Sequence, residues 1–200
     1  MKLVGIDFGA KLAGTTVCCV LTDSLVRFER CAKGVNADEF VHKLIAEVRP
    51  TLVGIDAPLS LPLVYRTVES SPNADYFYRE GDRLLGAMSP LFLGGLTARA
   101  MRLKALVQSD DCAVVEVYPA ALRREIGEHL EGLTKDRCGN DPELFRRLVT
   151  RIAQWGDLPP PLDPLSWHDV DSFLALLSTI RYQRGVARMV GLAEEGQIVV

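Results

Sequence analysis

The chain has 200 residues, 48% of them apolar and 24% charged, with a net charge of −3 from 23 basic and 26 acidic side chains. That length suits one α/β-sized domain with a full core. The composition excludes a disordered chain and a polybasic nucleic-acid coat, though not a local basic groove. The cysteines (Cys18, Cys19, Cys31, Cys112, Cys138) include no C-x-x-C pair, so no zinc knuckle or thioredoxin-type motif is expected, only free thiols in a reducing compartment. The N-terminus does not read as a signal peptide, and no apolar run approaches the roughly 18 residues that cross a bilayer. A cytoplasmic protein without a membrane segment is expected.

Lys2–Asp7 reads as a buried strand, followed by a loop over 8–14. Thr15–Leu21 and Leu25–Ala32, around a turn at 22–24, complete an antiparallel meander. Asn36, with Glu39 three residues on, caps a helix whose apolar positions (Phe40, Val41, Leu44, Ile45, Val48) recur at helical spacing until Pro50. Leu52–Asp56 is a strand, parallel to the first because a helix intervenes. Residues of about 59–110 read as a helical insertion, with helices over 75–87 and 97–107 and breaks at Ser89-Pro90 and Gly94-Gly95. Cys112–Val117 is a strand and 119–126 a short helix. A further helix starts at Asp141-Pro142 and runs to about Gln154. The prolines at 159–161 and 164 form a stiff connector. Ser166 caps a long helix ending near Gly185, and Val186–Val200 forms a hairpin around Glu194-Glu195-Gly196. This order predicts an α/β fold with a mixed sheet, as one domain over 1–200. The apolar tail also offers a surface for pairing into a homodimer.

The pentapeptide Leu-Val-Gly-Ile-Asp occurs at 3–7 and again at 52–56. Parallel strands ending in Asp7 and Asp56 put both acids at one sheet edge, where α/β folds place ligands. Glu116 lies near the end of a third apolar strand. At ~5 Å and an effective dielectric of ~20, each acid pair costs roughly 3 kcal/mol, so the cluster needs protonation or a cation. Carboxylate oxygens favour Mg²⁺ or Mn²⁺. His168 and Asp171 share one face of the last helix. Asp169, three residues after Ser166, reads as a cap instead. Arg79 and Arg83 share a face, as do Arg99 and Arg102. With Lys11 in the loop after Asp7, they are candidates to hold substrate phosphates. Tyr76, Phe77 and Tyr78 are expected to pack rather than to stack bases.

Six segments in order resemble the DUF429 family: Gly5-Ile6-Asp7, Gly54-Ile55-Asp56-Ala57-Pro58, Arg79-Glu80-Gly81-Asp82-Arg83, the stretch Gly94–Leu103, Glu116-Val117-Tyr118-Pro119 and His168-Asp169-Val170-Asp171. Members are described as predicted nucleases with a ribonuclease H-like fold. The resemblance implies a five-stranded sheet of order 3-2-1-4-5, with acids from the first strand, the fourth strand and a late helix, matching Asp7, Asp56 and Asp171. Glu116 matches the family's acid before proline. The late motif departs from the usual Asp-Ala by reading Asp171-Ser172. The expected function is metal-dependent hydrolysis of nucleic-acid phosphodiesters by two ions bridged by Asp7, with His168 moving a proton. The alternatives are a non-catalytic binding module and an actin or sugar-kinase type phosphotransferase. Pro58 speaks against the latter, because it removes an N–H from the turn that would bind phosphate.

Overall fold

β-Branched and apolar residues make Lys2–Asp7 (β1), Val17–Thr22 (β2) and Leu25–Arg30 (β3) an antiparallel meander. The computed structural model describes residues 1–23, 25–66, 74–139, 141–161 and 163–200. Position 24 of the expected turn, 67–73 of the expected insertion and 162 of the connector lie outside them. Asn36 accepts a hydrogen bond from the Asp38 amide and opens α1 (Ala37–Val48), which Arg49 closes in the left-handed region. β4 (Leu52–Asp56) returns parallel to β1.

The insertion is less helical than its pattern suggests. Only Glu80–Leu85 (α2) is α-helical in the expected 75–87 stretch. Asp75 instead accepts the Phe77 and Tyr78 amides, which holds the backbone out of a helix. The expected break at Ser89-Pro90 is the start of a one-turn helix, Pro90–Leu93 (α3), because Ser89 accepts the Leu91 amide and proline suits the first turn. Gly95–Val107 (α4) follows. β5 (Ala113–Val117) lies parallel to β4, and α5 (Pro119–Glu125), α6 (Lys135–Cys138), α7 (Pro142–Gly156) and α8 (Trp167–Gln183) follow.

Among the described residues the sheet has seven strands, not the five that the resemblance implied, in the order β3-β2-β1-β4-β5-β7-β6. Met189–Val190 (β6) and Ile198–Val199 (β7) form the expected antiparallel pair, but β7 also docks parallel to β5 and extends the sheet. Ile198, Val199 and Val200 are thereby buried within the chain, while Val186, Met189 and Leu192 of the same tail are exposed. Glu195, at the tail's turn, accepts the Leu63 and Glu80 amides and ties the tail to the insertion.

Helices cover both faces. Leu3 and Leu52 pack with α5, α7 and α8, while Val4, Ile6, Val53 and Ile55 pack with α1 and α4. The repeated glycine sets the distance to α8. A Cβ on Gly5 would stand 2.0 Å from the Leu176 nitrogen, and one on Gly54 would stand 2.0 Å from Thr179 Oγ1. Only glycine lets the helix lie this close to the strands.

Candidate functional site

Strand alternation decides which side the acids take. Residues 3, 5 and 7 share one face of β1, so Asp7 lies on the face that Gly5 presents to α8. Asp7 and Asp56 are direct register partners at the ends of adjacent parallel strands. Such neighbours are about 4.8 Å apart. From Leu176, over Gly5, α8 runs back toward this edge. Asp171 is about 7.5 Å and His168 about 12 Å nearer the helix start. The capping box of Ser166 and Asp169 fixes that start. His168 Nδ1 meets Asp7 Oδ2 at 2.7 Å.

The electrostatics identify an acidic edge short of positive charge. Burial, then the charges of Asp7, Asp171 and Glu116, push the Asp56 carboxyl well above its ordinary range. Burial and Asp7 push Asp171 up to about 7, despite the opposing pull of Arg123, Lys135 and His168. The hydrogen bond that His168 donates to Asp7 raises the His168 pKa, against the effect of its burial. Among the described residues, neither Asp56 nor Asp171 forms a hydrogen bond or an ion pair. The donors are hard oxygens without a direct ion-pair partner, which is the chemistry of a Mg²⁺ or Mn²⁺ site. Among the described residues, no three His, Cys, Asp or Glu side chains are drawn tightly enough together to hold an ion as they stand. The side chains repel one another, and Asp7 turns to His168.

A cavity of about 250 Å³ opens at this edge, with Asp7 and Asp56 beside an apolar wall of Phe8, Met88, Leu93 and Leu96. Phe77 and Phe92 stack at 5.4 Å and are 51% and 62% exposed, so Phe77 is not a core residue as expected.

Glu116 lines the same cavity as Asp7 and Asp56 and its charge reaches Asp56, but its oxygens are engaged within the chain. Its register partner is Ile55, so it emerges on the opposite face from Asp56. Both oxygens accept from Arg79, at 2.6 and 2.7 Å, and Oε2 also accepts the Leu59 amide. Burial raises Glu116 even against the pull of Arg79. Burial works against the Arg79 charge too, yet Glu116 and Asp82 hold its pKa above the usual value. Arg79 is 1% exposed and bonded to Glu116, Asp82 and Ser60, so it cannot hold a substrate phosphate as expected. Its role is to anchor the loop after Asp56.

The other expected cations are also engaged or displaced. Arg83 pairs with Asp75 and lies over the Tyr78 ring. Arg99 pairs with Asp38 at 2.6 Å, donates to the Gly9 carbonyl and covers Phe8, so it holds the loop that follows Asp7. Lys11 and Arg102 line a separate hollow of about 320 Å³ with His42, Asp38 and Glu39. Asp169 is fully buried, as a cap should be, and it also accepts from Arg30 at 2.7 Å.

Sequence reasoning missed Arg123 and Lys135, whose charges reach Asp171. Neither belongs to a motif. The available signal was topological, since α5 begins where β5 ends, at the acidic edge. Comparison of the chain with protein-family models and with curated proteins finds no match.

Proposed function

We propose that this chain is a Mg²⁺- or Mn²⁺-dependent phosphodiesterase acting on nucleic acid, of the DUF429 type that its motifs resemble. One observation carries the reading: Asp7, Asp56 and Asp171 come to one edge of the sheet and, among the described residues, no basic side chain forms an ion pair with Asp56 or Asp171. These three would hold the ions, and Glu116 would not. When bound, such ions make water acidic enough to attack a phosphodiester and stabilise the leaving oxygen.

The chain's own groups supply the rest. Asp7 fixes the His168 ring through Nδ1, and the ring is 43% exposed, so Nε2 is the atom placed to move a proton. Phe8, Met88, Leu93 and Leu96 give the cavity a wall that excludes water and accepts a base or sugar. Arg99 and Arg79 act indirectly, by fixing the loops after Asp7 and Asp56.

The test is Mn²⁺ titration by calorimetry, followed by cleavage of labelled DNA and RNA oligonucleotides. Wild type should bind the ion and cut. Asp7→Asn should melt as a folded protein and fail to cut. Cleavage by that variant at the wild-type rate rejects the proposal. A wild type without Mn²⁺ binding points instead to the non-catalytic binding module.

A further inference from the structure

We infer that Arg123 of α5 and Lys135 of α6 form a phosphate clamp on the α8 side of the acidic edge, holding backbone phosphates of a nucleic-acid strand. This rests on the proposed function and names the residues that bring the polyanion to the acids.

Both cations converge on the first residue of α8. The Arg123 guanidinium lies 5.5 Å and the Lys135 ammonium 6.0 Å from the centre of the Trp167 ring. Trp167 is only 8% exposed and packs on Phe145, so the platform is rigid. His168, the next residue, bonds Asp7, which sets the pair at the rim of the site. Their charges oppose the rise of Asp171, and that of Lys135 also reaches His168.

Neither cation is neutralised. Among the described residues, the side chains of Arg123 and Lys135 form no ion pair and no hydrogen bond. The other arginines around the site are committed, Arg30 to Asp169, Arg79 to Glu116 and Asp82, Arg83 to Asp75 and Arg99 to Asp38. A planar guanidinium and an ammonium gathered around one Trp167 ring offer two cations to phosphate oxygens. A simple carboxylate ligand would meet only the repulsion of the acids. A polyphosphate strand can reach these cations at one phosphate while another lies at the acids.

The experiment is anisotropy binding of a labelled single-stranded oligonucleotide in Ca²⁺, from 50 to 300 mM salt. Each lost phosphate contact should reduce the slope of log K against log salt by about 0.7. Arg123→Gln and Lys135→Gln should each lose about that much, and their double variant about 1.4. Arg123→Lys should keep the wild-type slope and also guards against a packing defect at Trp167. Arg146→Gln, on the exposed face of α7, should match wild type. Wild-type slopes in both Gln variants overturn the clamp and leave the proposed function standing if Asp7→Asn still abolishes cleavage. A wild type that binds no oligonucleotide overturns the clamp together with the nucleic-acid reading.

Discussion

Replacing Asp171 by Asn should make the protein more stable at pH 8 and leave it nearly unchanged at pH 4. The folded carboxyl titrates at about 7, against 3.8 for an ordinary aspartate. Between those values the folded protein keeps a proton that the unfolded chain releases. Stability is therefore full below the lower value, falls as pH rises and reaches its minimum above the upper one. A shift of about three units corresponds to about 4 kcal/mol, and screening at a half-buried position brings this to roughly 2–4 kcal/mol. For a chain of this size that is about 5–15 °C in melting temperature. Asparagine keeps the shape and removes the charge. Thermal melts of both proteins at pH 4, 6 and 8 give the test, and 5 mM MgCl₂ at pH 8 should raise the wild type alone. A variant that melts below wild type at pH 8, or that keeps the wild-type pH slope, refutes the reasoning.

Gly5→Ala should lower the melting temperature by about 6 °C or more, because the new methyl meets Leu176 backbone atoms at 2.0 and 2.4 Å and α8 must move, at about 3 kcal/mol. Gly54→Ala meets a side-chain oxygen instead, so adding Thr179→Ala should recover part of its loss in the same melts. Arg79→Met should cost about 3–5 kcal/mol in urea denaturation, since Glu116 and Asp82 lose their buried partner, and Glu116→Gln in the same chain should restore part of it. Asp169→Asn should destabilise through the Arg30 pair and the helix cap, by about 2 kcal/mol, while leaving Mn²⁺ affinity by calorimetry unchanged.

The regular framework is legible because local signals and tertiary packing agree there. Asn36, Ser166 and Pro50 mark helix limits by their own chemistry, and the alternation in Leu-Val-Gly-Ile-Asp puts apolar residues on both faces of a central strand. The same alternation carried a signal that was not used. Counting from Val114 and Val115 shows that Glu116 falls on the opposite face from Asp7 and Asp56. Tertiary bonding decided the rest. Asp75 holds the backbone at 77–78 out of the helix that composition suggests. The β5 edge recruits a tail whose short strands look like an isolated hairpin. Spacing shows which cations share a helix face but not which acid already holds them, as Asp82 holds Arg79 and Asp38 holds Arg99.

That last point separates the two kinds of buried acid in this protein. Glu116 and Asp82 are matched by Arg79, Asp169 by Arg30 and Glu195 by backbone amides, so each is explained by the folded chain itself. Among the described residues Asp56 and Asp171 have no such match, and burial holds both carboxyls above their ordinary range. An acid that stabilises nothing in its own chain needs another reason to be where it is. Two of them, with Asp7 between β4 and the helix that bears His168, make an external cation the simplest one. The same argument reverses sign beside Trp167, where among the described residues Arg123 and Lys135 form no ion pair, and there it calls for an external anion. A metal-assisted phosphodiesterase acting on a polyphosphate strand requires both deficits at a single rim, and either one alone would leave half of these charges without a purpose.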